Sequence, residues 1–403
     1  MALPVSAVVA HAQPVIEPAG QNLNALPFST VQMATVYTPG NPSAQFSVTL
    51  TGEGAYSGGN ISENGGVVYY QVSPSWSWRQ QINAARDPAL ANTISYNVCD
   101  TGTGLCTSAS QVLTIHPQSD CGSDNLDGGF VLNRSKLGAA NFYDNFYSDS
   151  SVLASDAQSK PAGAKWYTHT PAAMDFGYNV LPWDGMGSQY NPFSIIPGQG
   201  LDIRVQQDSS GNWHAGGLSS QFPDGSGFTV QYGYVEFRAQ MPSGPGVWPA
   251  LWMNSYLPNG QEPPSTVGIE LDLLEAYTQW PTIFWQTTQT WPEGSNNPAQ
   301  HRWWQTRNDW GQNPGISNPK DPIDGGLHIY GALITPHWIT YYFDNTEINR
   351  ISTPPELSAG MYLMPDLVVG GGGQTATPNN PTDMIVNYIR VYPLPPNGYC
   401  TLH

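Results

Sequence analysis

The amino-acid sequence predicts an all-β protein, a small β-sandwich followed by a larger one of jelly-roll type. Three observations lead there. Strand-like runs with apolar alternation or β-branched enrichment recur along the chain, and Gly, Pro, Asn and Ser separate them. The larger region contains no convincing amphipathic helix, and two packed sheets are the economical way to bury that much strand. Only 11% of the 403 residues are charged, against about 25% in an average protein, while Gly (42) and Pro (36) are abundant. Helical bundles have the opposite composition.

The elements follow in chain order. Residues 1–24 are expected to be a leader or a disordered tail. Ala10-His11-Ala12 fits a small-x-small cleavage pattern, although the basic residues that usually open a secretory signal are missing. Residues 25–117 form the small sandwich, through FSVTL at 46–50, VVYYQV at 67–72, TISYNV at 93–98 and SQVLTI at 110–115. The segment from 93 to 115 resembles the closing hairpin of bacterial Ig-like or cadherin-like repeats. Cys99 and Cys106 flank a turn-like DTGTGL, which suits a hairpin disulfide. Cys121 and Cys400 lie near the ends of the second region. Four cysteines allow three connectivities, and the spacing does not choose among them. Trp76 and Trp78 offer either a ligand platform or packing. Residues 118–403 form the jelly roll, with strands at 232–241, 268–277, 327–334, 338–345 and 384–393.

Composition also bounds the partners. Fourteen Trp and 21 Tyr in a charge-poor chain suit a neutral ligand rich in hydroxyls. A net charge of −17 argues against general nucleic-acid binding. No run of about 18 apolar residues provides a membrane span. Few lysines, an acidic balance and an even set of cysteines able to form disulfides favour a secreted or periplasmic location. A monomer is expected.

The segment with the most chemistry in it is Gly268-Ile269-Glu270-Leu271-Asp272-Leu273-Leu274-Glu275-Ala276-Tyr277. Alternation puts Glu270 and Asp272 on one face and Leu271 and Leu273 on the other. Glu275 then has the wrong parity, and one β-bulge at Leu273-Leu274 restores it. Clustered carboxylates raise one another's pKa. An ionised and a protonated carboxyl held close together are what acid-assisted cleavage of a glycosidic bond requires. A solvated acidic edge strand is the alternative on this pattern alone.

E-L-D-L-L-E resembles the E-x-D-x-x-E signature of glycoside hydrolase family 16 in its bulged, laminarinase-like form. Four further blocks agree in order: FYDNFYSD, YGYVEFRAQMPSGPGVWPALWM, LHIYGALITPHWITYYFDN, and the closing MYLMPDLVVGGGG with MIVNYIRVYP. The resemblance implies a concanavalin-like jelly roll behind an Ig-like module. It implies a retaining endo-β-glycanase acting on β-1,3 or mixed β-1,3/1,4 glucan or a related exopolysaccharide, with a galactan as the runner-up. Glu270 would be the nucleophile, Glu275 the general acid/base and Asp272 the auxiliary carboxylate. Transglycosylation on the same polymers and a non-catalytic polysaccharide-binding role are the competing readings.

The resemblance also implies that Trp248 and Trp252 wall the cleft. Trp183, Trp285, Trp291 and Trp303, with neighbouring Trp304 and Trp310, are candidate outer subsites, and His328 matches a family histidine. No cofactor is required. Asn387 stands where an aspartate often helps hold a structural calcium, so such a site is weakened but retained as an expectation. Asp366 stands where asparagine is common. The usual arginine is missing from GGLSSQF, and IFWQTTQTW replaces a histidine-containing stretch.

Overall fold

The computed structural model describes residues 12–20, 23–26, 28–54, 58–73, 90–116, 131–147, 154–157, 159–171, 183–255, 268–291, 302–309, 325–395 and 402. Trp76, Trp78, Cys121, Cys400 and Trp310 lie outside these residues, as do the side chains of Trp291 and Trp303. The chain divides into two compact units, largely residues 1–118 and largely residues 119–403. Among the described residues the sole helical element is a 3-10 turn at Arg134–Lys136; all other elements are strands.

The first unit consists of two four-stranded sheets. One runs Val15–Pro18, Thr30–Tyr37, Val67–Gln71, Asn60–Asn64; the other runs Leu23–Ala25, Cys106–Ile115, Leu90–Asp100, Phe46–Glu53. Alternation does the sorting: Val68, Tyr70, Ile94, Tyr96, Val98, Leu113 and Ile115 are buried, and their strand neighbours are less so. Strand structure begins earlier than residue 25. Val15–Pro18 pairs with Thr30–Tyr37, and Leu23–Ala25 pairs in parallel with Cys106–Ile115. VIEP is too short to show a period, and Pro18 is tolerated because this strand lies at a sheet edge. Cys99 and Cys106 face each other across the hairpin and are disulfide-bonded.

The second unit is a sandwich of a nine-stranded and a six-stranded sheet. The large sheet includes Gly200–Gln207, Thr382–Tyr392, Gly233–Gln240, His328–Ile334, Trp338–Phe343 and Thr346–Ser352 as successive neighbours. Trp338–Phe343 is buried at every position. Its inner face joins the main core through Ile339, Tyr341 and Phe343, and Tyr342 on the outer face packs with Tyr234, Leu333, Leu132 and Leu402. Arg134 fastens the covering segment with a bidentate bond to buried Glu236, at 2.5 and 2.8 Å. A sheet covered on both faces explains why these strands are apolar without interruption.

The six-stranded sheet runs Gly216–Gly217, Tyr362–Val369, Val247–Asn254, Gly268–Glu275, Ile283–Trp291, Arg302–Asp309. Leu271, Leu273, Leu274, Phe284 and Leu363 enter the core between the sheets. Thr288 reaches across to the large sheet, 2.8 Å from the Tyr341 hydroxyl. The opposite face of this sheet carries the polar residues.

Candidate active site

Gly268–Glu275 holds the three carboxylates on one face because it is bulged. Against Ile283–Trp291, Asp272 pairs with Thr287 and Glu275 with Trp285, so three steps on one strand meet two on the other. Against Val247–Asn254, Asp272 pairs with Trp252 and Leu274 with Leu251, which again leaves one residue extra. Leu273 and Leu274 are both buried in the core, and Glu275 returns to the face of Glu270 and Asp272.

Cross-strand pairing then builds the site in rows. Tyr362, Asn254, Glu270 and Gln289 form the first, Met364, Trp252, Asp272 and Thr287 the second, and Asp366, Ala250, Glu275 and Trp285 the third. Glu270 is half-buried, and its Oε1 accepts a hydrogen bond from the Gln289 amide at 2.6 Å. Glu275 accepts from the Tyr277 hydroxyl at 2.7 Å on Oε1 and from the Gln305 amide at 3.4 Å on Oε2. Gln305 also donates to the Thr287 hydroxyl at 3.3 Å. Trp252 donates its indole N–H to Asp366 at 2.5 Å.

The electrostatics separate the three acids. Burial raises Asp272 well above the ordinary carboxylate range, and the charges of Glu270, Glu275 and Asp366 push the same way against a hydrogen bond from Thr287. Burial also raises Glu275, opposed by hydrogen bonds from Tyr277, Thr287, Trp248 and Gln305. Asp272 therefore holds its proton to higher pH than a free aspartate, and Glu275 to higher pH than a free glutamate. A carboxyl whose folded pKa is raised destabilises the fold above its unfolded pKa, increasingly so as pH rises toward the folded value. Asp272→Asn removes that penalty. Its unfolding temperature at pH 7 should rise by roughly 2–4 °C, corresponding to about 1 kcal/mol, while activity falls. A lower melting temperature in a calorimetric scan would contradict this account of burial and like charge acting on Asp272.

The aromatic candidates divide. Trp252, 7% exposed, lies beside Asp272 in register. Trp248 and Trp285 are half-buried and both pack on Tyr277. Trp183 is almost wholly buried, so it offers no open face for stacking; it packs over Gly217, where a Cβ would lie 2.6 Å from its ring, beside Asp366. Trp304 packs against the core. Trp291 and Trp303 lie on strands of this sheet, and their side chains lie outside the described residues. His328 is not brought to the site. It lies at the start of a strand of the nine-stranded sheet, bonded to Asp344 at 2.8 Å and with its ring tilted against Phe343 at 4.9 Å.

Tyr277, Thr287, Gln289 and Gln305 carry no role in the sequence reading, and each touches a carboxylate. Alternation along Ile283–Trp291 was the available signal, since residues 285, 287 and 289 share a parity. Gln305 needed strand pairing that local sequence does not reveal.

Residues 197–371 match the family model described as Glycosyl hydrolases family 16. The chain is 30% identical over 214 residues to an endo-1,3-1,4-beta-glycanase, EglC, of Rhizobium meliloti (strain 1021), covering 51% of this chain and 40% of that protein. It is 27% identical over 221 residues to glucan endo-1,3-beta-glucosidase A1 of Niallia circulans, covering 48% of this chain and 29% of that one. The aligned segments thus span well under half of these relatives. Among solved structures, LamAcat from Zobellia galactanivorans is similar at 21% identity and a TM-score of 0.46, over 64% of this chain and 99% of that one.

Proposed function

We propose, from the match of residues 197–371 to the glycosyl hydrolases family 16 model, that the chain is a retaining endo-β-glycanase hydrolysing β-1,3 or mixed β-1,3/1,4 glucan. The observation that carries this is the bulge, which presents Glu270, Asp272 and Glu275 on one face with two of them pushed toward protonation. Glu270 attacks the anomeric carbon. Glu275 protonates the departing glycosidic oxygen and then takes a proton from the incoming water. Asp272, between them in register and pushed toward protonation, limits the negative charge that gathers beside Glu270. Trp248 and Trp285 supply flat apolar surface for sugar rings, with Trp291 and Trp303 on the same sheet as further candidates, and Trp252, largely buried, lines the wall beside Asp272. Trp183 backs the wall.

The names of the two relatives support this linkage class. A galactan stays as the second substrate class, because a keratan-sulfate endo-1,4-beta-galactosidase of Sphingobacterium multivorum also matches, at 28% identity. Incubation with a panel of defined β-glycans tests the assignment. We expect a rapid fall in viscosity of a β-1,3 or mixed-linkage glucan, with few reducing ends released, as endo cleavage requires. Longer oligosaccharides among the products would indicate transglycosylation. Turnover of galactans alone would overturn the glucan assignment, and no turnover on any polymer would favour a binding protein.

No cofactor enters this chemistry. Among the described residues no group of three or more His, Cys, Asp or Glu is arranged to hold a metal. Asn387 does not suit calcium. It is the extra residue of a second bulge, its Oδ1 accepts from the Arg238 guanidinium at 2.7 Å, and its amide donates to the Gln199 carbonyl at 2.6 Å. A calcium ion would have to be held by other oxygens. The Cys99–Cys106 bond supports a secreted or periplasmic location. Among the described residues no helix is long and apolar enough to cross a membrane. We propose residues 25–117, with the strands just ahead of them, as an Ig-like module, and the protein as a monomer.

A further inference from the structure

The geometry points to Tyr277 as a positioning residue that ties one oxygen of Glu275 and so assigns the catalytic proton to the other, Oε2. This rests on Glu275 being the general acid/base.

The two carboxyl oxygens are not equivalent. Oε1 accepts the Tyr277 hydroxyl at 2.7 Å. A phenol keeps its proton at neutral pH, so a second proton on Oε1 would face the one already in that bond. Oε2 meets the Gln305 amide at 3.4 Å, a long contact that Gln305 shares with Thr287 at 3.3 Å, and Thr287 and Trp248 also hydrogen-bond this carboxyl. The Tyr277 bond is shorter than the Gln305 contact, and giving up that long contact when Oε2 takes up a proton costs little. In the first step the Oε2–H bond breaks and the proton goes to the glycosidic oxygen. That oxygen keeps the electron pair of its broken bond to the anomeric carbon, which Glu270 attacks. In the second step water attacks that carbon, its proton goes to Oε2, and the carboxylate of Glu270 is released.

Tyr277 is held firmly enough for this role. Its ring lies 5.5 Å from Trp248, 5.0 Å from Trp285 and 6.4 Å from Trp280, centroid to centroid. The chain on either side is bonded to Val247–Asn254, through Ala276 N–H to the Pro249 carbonyl and Thr278 N–H to the Val247 carbonyl. A glycine closes the cage. Gly372 has φ +54°, and a Cβ there would lie 2.5 Å from the tyrosine ring. Neighbouring Gly371, at φ +85°, makes the same close approach to Trp248.

Tyr277→Phe in the full chain tests the assignment by kcat/KM against pH on two substrates. One is a soluble mixed-linkage glucan, whose leaving group needs protonation; the other is a dinitrophenyl β-glucoside of the same oligosaccharide, whose leaving group does not. With the donor removed, the proton is free to occupy either oxygen and is held more tightly. We expect about a tenfold loss on the glucan, a change within about twofold on the dinitrophenyl substrate, and an alkaline limb moved to higher pH. Gly372→Val, which displaces the ring, should reproduce the glucan-selective loss. Equal losses on both substrates with an unmoved limb, or no loss on either, would overturn the role of Tyr277. If Glu275→Ala kept the parent rate on the glucan, the acid/base reading itself would fall, and this inference with it.

Discussion

Glu270→Ser should lower kcat on β-glucan by about 10⁴-fold or more while leaving polysaccharide binding in place. A nucleophile makes its covalent bond only in the reaction, so its loss falls on kcat rather than on ground-state affinity. By the usual conversion, 10⁴-fold is about 5–6 kcal/mol of barrier. The shorter serine leaves the Gln289 amide without its 2.6 Å acceptor, a local loss beside the reacting carbon. It also removes one of the charges that raise Asp272, so the fold should not weaken. Two measurements decide the matter. Retention of the variant on a glucan-containing native gel reports binding, and reducing-end release reports turnover. Release at the parent rate would remove Glu270 from the reaction.

Glu275→Ala should have the second largest effect, and a more diagnostic one. On β-glucan we expect a loss of about 10²–10⁴-fold, the range general acid/base catalysis supplies. On a dinitrophenyl glycoside the first step should survive. Azide, which needs no base, should then accelerate turnover and appear in a glycosyl azide of retained configuration. The pH profile carries the same information. An acid catalyst works only while protonated, so rate is lost as pH rises through its folded pKa. Burial raises that value above the ordinary 4.5, which puts the parent's alkaline limb higher than a free glutamate would give. In the alanine variant, with the activated substrate, that limb should vanish. An unchanged limb would mean that another group titrates there.

The sequence made part of this site legible, for a physical reason. Strand alternation and a parity mismatch are local, so Glu270, Asp272, Glu275 and the bulge between them could be inferred from ten residues. The apolar runs of the nine-stranded sheet were equally plain, since both faces are covered. What escaped was set by pairing between distant strands. Gln305 reaches Glu275 across the strand between them. Asp366 comes to Trp252 from 114 positions away along the chain. His328 shows the reverse failure: its motif was visible, but its strand belongs to the other sheet. Trp183 is where a loop brings it, and no local pattern distinguishes a stacking indole from a buried one.

The bulge at Leu273-Leu274 uncouples how long the carboxylate strand is from which way its acids face. In an unbroken strand, losing one residue between Asp272 and Glu275 would normally turn everything beyond it over. Here the residue lost would be the supernumerary one. The remaining acids would alternate regularly and still share a face, at the cost of one leucine from the core. The strand can therefore contract by a single position along an evolutionary path without passing through a form whose general acid points into the protein.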